Sequence, residues 1–176
     1  MNLGFSQAHL KVVGGAVLSS KGAVTIKVSG DLVTESSGKI LINEDGRVVF
    51  RSDINNSGTF DIEKGLLWVG GSQVQTLSSS NDLTIRHLTV NSKGGLTLAT
   101  SVLVTGNLFL NRGIITTSAE NSLTLDPRTS FTEGKANSYI NGPFSIQTRS
   151  QSGDDYTLKF PVGNASQYQP ITLNFT

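Results

Sequence analysis

The fold of this chain is decided by residues 71–117, which read GSQVQTLSSSNDLTIRHLTVNSKGGLTLATSVLVTGNLFLNRGIITT. Apolar residues alternate with polar ones in short bursts, and Gly or Asn stands between one burst and the next. The apolar positions are Leu83, Ile85, Leu88, Val90, Leu96, Leu98, Val102, Val104, Leu108, Leu110 and Ile114. Period-two alternation turns one side chain toward a core and the next toward solvent. Bursts this short and evenly spaced predict the coils of a solenoid rather than the long strands of a sandwich.

A unit of glycine, a polar residue and an apolar residue recurs along the whole chain. Its glycines are Gly30, Gly38, Gly46, Gly58, Gly95, Gly106 and Gly113. Glycine tolerates a positive φ, so we expect each unit to form a corner after which the next apolar residue turns inward. Two or three units make one coil of about 20 residues. Six or so coils between Ala8 and Pro127, stacked about 4.8 Å apart, predict a rod on the order of 30 Å long.

The chain divides into three segments. Residues 1–7 are interpreted as a leader remnant or flexible start, with an ordinary first strand as the open alternative. Residues 8–136 are predicted to form the β-solenoid. Residues 137–176 form a C-terminal β region, a hairpin or cap or the start of a further module, and the parent protein is expected to continue. We expect an all-β fold with almost no helix, because no long segment has helical periodicity with caps.

Composition excludes several classes of function. The net charge is only +1 and no run of like charges occurs, whereas nucleic-acid binding needs a concentrated basic footprint. The chain has no cysteine, so it offers neither disulfides nor thiolate metal ligands. No apolar run reaches the roughly 18 residues of a membrane helix, so membrane insertion is not expected.

Five motifs occur in an order that resembles a repeat region of large secreted and cell-surface proteins of Bacteroidota. They are LTIRHLTVNSKGGLTL (83–98), VTGNLFLNRGIITT (104–117), SYINGP (138–143), FPVG (160–163) and YQPI (168–171). The resemblance implies a right-handed parallel β-helix, type IX export and an adhesin-like role, secreted or at the outer cell surface. The sorting domain usual in that family is absent from this sequence. The family shares no catalytic residues that could be carried over.

No nucleophilic or metal-binding constellation is evident. His9 and His87 are far apart and lack assignable partners, so both are interpreted as ordinary surface histidines. Asp154 and Asp155 follow a glycine, but a calcium loop spaces its acids at alternate positions, so a solvated turn is favoured and calcium binding stays open. Residues 43–46, NEDG, are interpreted as a turn. We predict no catalytic, cofactor-binding or metal-binding residues and no cofactor.

The enzyme alternative is a β-helix that cleaves polysaccharides, which needs clustered acids in a groove. In a coil such acids would be spaced by one turn, and we do not find a steady interval among Asp31, Asp53 and Asp61. The chain is therefore predicted not to be an enzyme.

Aromatic and threonine residues offer further surfaces. Trp68 lies in an apolar run and is interpreted as a core residue, with stacking on a sugar as the alternative. Tyr139, Tyr156 and Tyr168 are interpreted as covering the solenoid end, with a glycan groove as the alternative. An ice-binding array is disfavoured, because Arg86, Asn107 and Phe109 interrupt the outward threonines, which are Thr84, Thr89, Thr97, Thr105 and Thr124.

These observations favour a non-enzymatic structural or adhesive segment, a stiff β-solenoid that spaces or presents binding surfaces. The alternative is a carbohydrate-binding or polysaccharide-cleaving β-helix. The expected partner is a surface glycan or another protein, and self-association through the solenoid ends stays open.

Overall fold

A computed structural model describes residues 2–5, 9–43, 45–148 and 156–175. These residues form 21 β-strands, and no helix occurs among them. Within the same residues, no helix has the length and apolarity needed to cross a membrane. The all-β prediction is confirmed.

The first seven strands are β1 (Asn2–Phe5), β2 (Leu10–Val12), β3 (Val17–Ser20), β4 (Thr25–Val28), β5 (Leu32–Thr34), β6 (Lys39–Ile42) and β7 (Arg47–Phe50). The middle strands are β8 (Ile54–Asn56), β9 (Thr59–Gly71), β10 (Gln75–Ser79), β11 (Leu83–Ser92), β12 (Leu96–Ala99), β13 (Val102–Arg112) and β14 (Ile115–Thr116). The last strands are β15 (Leu123–Leu125), β16 (Ser130–Phe131), β17 (Ile140–Asn141), β18 (Phe144–Ile146), β19 (Tyr156–Phe160), β20 (Val162–Gly163) and β21 (Ile171–Phe175).

Parallel pairing arranges these strands on three faces of a solenoid with about seven turns. The first face stacks β2, β5, β8, β10, β12, β14, β17 and β20. The second stacks β3, β6, β15 and β18 with the N-terminal parts of β9, β11 and β13. The third stacks β1, β4, β7 and β16 with the C-terminal parts of those three long strands. Because β9, β11 and β13 bend at a corner, each belongs to two faces.

One turn has the length that the sequence predicts. Leu32 pairs with Ile54, 22 residues later, and Leu96 pairs with Ile115, 19 residues later. Hydrogen bonds between such residues join each turn to the next, so the predicted parallel β-helix is confirmed.

Inward side chains of successive turns stack into aliphatic ladders. One ladder on the third face consists of Ile26, Val48, Leu67, Leu88 and Leu108, all buried. Each fully buried side chain of this kind contributes about 1.5–3 kcal/mol. In the doublet of Ile114 and Ile115 it is Ile115 that is buried, while Ile114 is half-buried, so the choice of Ile114 as the inward residue is wrong.

The repeated glycines serve two different purposes. Gly95 and Gly113 have φ of +91° and +95°, as the corner prediction requires. Gly38 and Gly58 do not have a positive φ; a Cβ atom at either would collide with a backbone carbonyl oxygen of a neighbouring turn. At these two positions glycine is needed because the turns approach each other closely, so the positive-φ explanation is wrong for them.

The parallel ladders continue beyond residue 136, the predicted end of the solenoid. β17 pairs with β14, β18 with β15, and β20 with β17. At the other end β1 pairs with β4, within the segment for which a leader remnant and a first strand were both open.

The C-terminal hairpin of β19 and β21 is antiparallel and packs against the last turns. The ring centroids of Phe144 and Phe160 are 5.9 Å apart, and those of Tyr139 and Tyr168 are 5.8 Å apart. Tyr139 is buried and its hydroxyl donates to the carbonyl of Asn164 over 2.7 Å. Tyr139 and Tyr168 therefore pack at the solenoid end, in agreement with the interpretation as a cap. The side chain of Tyr156 lies outside the described residues.

Candidate functional site

The outer surface of the third face is determined by the phase of its strands. In β7 the side chains of Val48 and Phe50 point inward, so those of Arg47, Val49 and Arg51 point outward. In the facing part of β9, Leu67 and Val69 are buried. Leu66 and Trp68 therefore point outward, next to the arginines of β7.

Trp68 is thus on the surface rather than in the core. It is half-buried and lies between the fully buried Leu67 and Val69 along its strand. The interpretation of Trp68 as a core residue is wrong, because the run from Leu66 to Val69 is apolar on both of its faces. The outward side is apolar here without belonging to the hydrophobic core.

Register places Trp68 in an outward ladder with Val49, Thr89 and Phe109 on successive turns. Thr89 is only 3% exposed although it points outward, while Phe109 is 38% exposed. We attribute the burial of Thr89 to its ladder neighbours Trp68 and Phe109, one turn away on either side. The two aromatic residues together form an apolar strip on this face.

A cleft of about 530 Å³ adjoins this strip, and we call it the basic cleft. It is lined by Asp45, Gly46, Arg47, Lys64, Gly65, Leu66, Arg86 and His87. Arg47, Lys64 and Arg86 are exposed cations, and Asp45 is the acid among the lining residues. The lining is therefore basic even though the whole chain is nearly neutral.

His87 lies at the inner side of the basic cleft and is half-buried. Its Nδ1 is 3.0 Å from Nδ2 of Asn107, the next residue in its ladder. Because the Asn amide nitrogen is a donor, Nδ1 accepts and Nε2 carries the hydrogen of the neutral ring. Burial and the neighbouring positive charge of Arg86 lower the pKa of His87. His87 is therefore more than an ordinary surface histidine: it is held neutral near pH 7 beside three cations.

A second cleft of about 340 Å³ lies on the same face, and we call it the tryptophan cleft. It is lined by Arg47, Val49, Arg51, Trp68, Gly70, Gly71 and Asn91. A Cβ atom on Gly70 would lie 3.4 Å from Nε1 of Trp68, so the indole leans over this glycine. Arg47 lines both clefts, which makes them one continuous surface.

Asp31 and Asp53 form a different cluster, at the corner before the first face. They occupy equivalent positions one turn apart, because Leu32 pairs with Ile54, so the statement that they lack a regular interval is wrong for this pair. The carboxylate of Asp31 accepts from the Ser52 hydroxyl and from the N–H of Asp53, and it pairs with exposed His9 at 3.1 Å. The Ser52 hydrogen bond is the main reason that the pKa of Asp31 is lowered.

This corner cluster joins turns and does not resemble a nucleophilic site. A triad needs a base that contacts the serine hydroxyl, but here the histidine and the serine both contact the aspartate. Asp61 is in another ladder, opposite Leu41, and accepts from the N–H of Glu63 over 3.2 Å.

The other candidates from the sequence are not brought together. Asn43, Asp45 and Gly46 belong to a turn closed by a 3.0 Å hydrogen bond from Gly46 N to Asn43 O; Glu44 lies outside the described residues. Asp154 and Asp155 lie outside them too. Within the described ranges, no group of three His, Asp or Glu residues is arranged to hold a metal ion.

Outward threonines do not form an array. Thr84 and Thr124 share one ladder on the second face, but Leu103 stands between them. Thr97 is on the first face and Thr89 is buried on the third. The reasoning against an ice-binding surface agrees with this arrangement.

Comparisons with known proteins add no identification. No protein-family model, no curated protein and no solved structure matches this chain. The resemblance to Bacteroidota surface proteins therefore stays a prediction, and function must be argued from the surface itself.

Proposed function

We propose that this chain is a non-enzymatic structural or adhesive segment of a secreted bacterial surface protein. It is a stiff β-solenoid that presents a binding surface on its third face. The observation that carries this proposal is the outward position of Trp68 between Arg47 and Arg51. A large aromatic side chain at a half-exposed, basic surface is typical of recognition sites rather than of cores.

The rod is supported by its construction. Every turn contributes inward aliphatic side chains to continuous ladders, and backbone hydrogen bonds join it to its two neighbours. In repeat architectures such nearest-neighbour interfaces supply the stability and hold the outer faces in a fixed geometry. Outer residues of successive turns are therefore presented at a spacing of about 4.8 Å.

The location, secreted or at the outer cell surface, rests on the motif resemblance and remains part of the proposal. The expected partner on this basis is a surface glycan or another protein.

The second candidate is a carbohydrate-binding or polysaccharide-cleaving β-helix, and Trp68 favours its binding form. Cleavage by a pair of carboxylates needs them within about 5–10 Å across a substrate groove. Asp45 is the acid that lines the two described clefts, and its companions there are cations. This lining favours binding over hydrolysis.

The test is a retention assay combined with product analysis. Beads coated with the chain are passed over arrays of immobilised glycans and cell-surface proteins, and the eluates are examined by mass spectrometry for shortened glycans. Retention without shortened products is expected. Release of shortened products would overturn the proposal in favour of an enzyme, and failure to retain the beads on any surface would overturn the adhesive role.

A further inference from the structure

We propose that the third face binds an acidic polysaccharide built from uronic acids, with one sugar ring stacked on Trp68 and its carboxylates held by Arg47 and Arg51. This inference rests on the proposed function, because it specifies the ligand of the same surface. It goes beyond that function by assigning the ligand chemistry and the residues that recognise it.

The relative positions of three residues carry the inference. Trp68 pairs with Val49, which lies midway between Arg47 and Arg51 along β7. With about 3.3 Å per residue and about 4.8 Å between strands, each arginine Cα is about 8 Å from that of Trp68. Both long side chains therefore reach the edges of a ring stacked on the indole. The two guanidinium groups are on opposite sides of it.

These cations are free to bind an anion. None of the ion pairs between described residues includes Arg47, Arg51, Lys64 or Arg86. Arg47 donates from Nε to the hydroxyl of Thr25 over 3.3 Å, which orients the guanidinium without neutralising it. Charge complementarity thus favours an anionic occupant, opposed on the cleft wall by Asp45.

Space for the ring comes from the glycines beside Trp68. Gly70 and Gly71 form part of the lining of the tryptophan cleft, where any side chain on Gly70 would touch the indole. Asn91 stands next to Gly70 in the ladder and is exposed. Its amide offers both a donor and an acceptor to sugar hydroxyls.

The chemistry favours uronates over other polyanions. Arginine presents a planar fork that matches a carboxylate with two parallel hydrogen bonds. A uronic acid keeps its free hydroxyls for Asn91, whereas sulfation would esterify some of them. Nucleic acid fits less well, because the net charge of the chain is only +1 and one tryptophan offers a single stacking platform.

The experiment measures binding of oligogalacturonate by titration calorimetry, with dextran, dextran sulfate and a DNA duplex as comparison probes. Oligogalacturonate is expected to bind, dextran not to bind, and Arg51→Ala to weaken binding about tenfold or more. Lys39→Ala is the matched control, because it removes one exposed positive charge from the second face. It should bind like the parent chain.

Trp68→Ala is expected to abolish binding and Trp68→Phe to retain part of it, with circular dichroism showing that each variant is folded. Equal weakening by Arg51→Ala and Lys39→Ala would overturn the assignment of the site. Tighter binding of dextran sulfate or DNA than of oligogalacturonate would overturn the ligand class. If oligogalacturonate does not bind but beads are retained on another glycan or protein, only this inference fails and the proposed function stands.

Discussion

The carboxylate of Asp53 accepts a hydrogen bond from the backbone N–H of Thr76 over 2.7 Å, and so links two successive turns at one corner. Asp31 does the same for the N–H of Asp53 itself, over 3.2 Å. The acids that might have indicated catalysis therefore form a short vertical series that satisfies backbone donors.

Replacing Asp53 by alanine should destabilise the chain by about 1–2 kcal/mol, because the N–H of Thr76 loses its acceptor in a half-buried position. Urea unfolding followed by circular dichroism measures this loss. Asp53→Asn keeps an acceptor oxygen at the same place and should recover most of the stability. Equal losses in both variants would show that the charge, rather than the hydrogen bond, is what matters.

Acid should weaken the Asp31 corner. The Ser52 hydroxyl lowers the pKa of Asp31 below its ordinary value of 3.8, assisted by the Asp53 N–H and by His9 and opposed by burial. A lowered folded-state pKa adds stability above the unfolded-state pKa, and this stability is lost as the pH falls through the folded-state value.

Ser52→Ala should therefore lower the free energy of unfolding near neutral pH, and by less in acid well below the ordinary pKa of Asp31. Unfolding curves at the two pH values give the difference. Ser57→Ala, at an exposed turn, is the control and should show no such dependence. A Ser52→Ala cost that is the same at both pH values would contradict the linkage.

Ile85 tests the core ladder. It is fully buried and stacks between Ile62 and Val104 on neighbouring turns. Ile85→Ala should cost about 2–5 kcal/mol, through lost transfer energy and a cavity that a stacked core cannot easily close. Thr84→Ala, at the adjacent outward position, should change the unfolding free energy by no more than about 0.5 kcal/mol. Similar costs at both positions would show that the inward phase is misassigned.

Binding of oligogalacturonate should strengthen as the pH falls from neutral toward mildly acidic values. Burial and Arg86 lower the pKa of His87, so its ring is neutral at pH 7 and becomes a cation only below its ordinary value of 6.5. The new charge joins Arg47 and Lys64 in the basic cleft, facing Asp45 and the amide of Asn107. Ligand carboxylates stay ionised above about pH 4.

His87→Gln should remove this increase while leaving the affinity at pH 7 nearly unchanged, as calorimetry at several pH values would show. His9→Gln, at the Asp31 corner, should keep the increase. An increase that survives in His87→Gln would exclude His87 as its source.

The sequence predicts the solenoid well because inward positions are nearly all Val, Ile or Leu and outward ones are polar. It fails where that contrast disappears. In the run from Leu66 to Val69 both faces are apolar, so alternation alone cannot set the phase, and Trp68 was assigned to the wrong side. Aligning this run with residues 47–51, where Arg47 and Arg51 fix the outward phase, would have corrected it.

The regular positions of Asp31 and Asp53 were missed for a related reason. Turn length varies between 19 residues from Leu96 to Ile115 and 22 from Leu32 to Ile54, so a single fixed period does not align every turn. The irregularity arises at corners such as that of β11, where the register shifts between Ile85 and His87. The cleft beside His87 lies at this shift, and strand patterns alone do not predict its shape.

Because every turn is bonded to the next by hydrogen bonds that run along the rod, the direction of an applied force decides how the segment responds. Bending must stretch ladders and compress core on opposite sides at once, and many turns share that load. A pull along the axis instead acts on the bonds of one terminal turn at a time, as in peeling. An anchored segment of this kind would hold its face upright against flow, yet lengthen stepwise under tension rather than break abruptly.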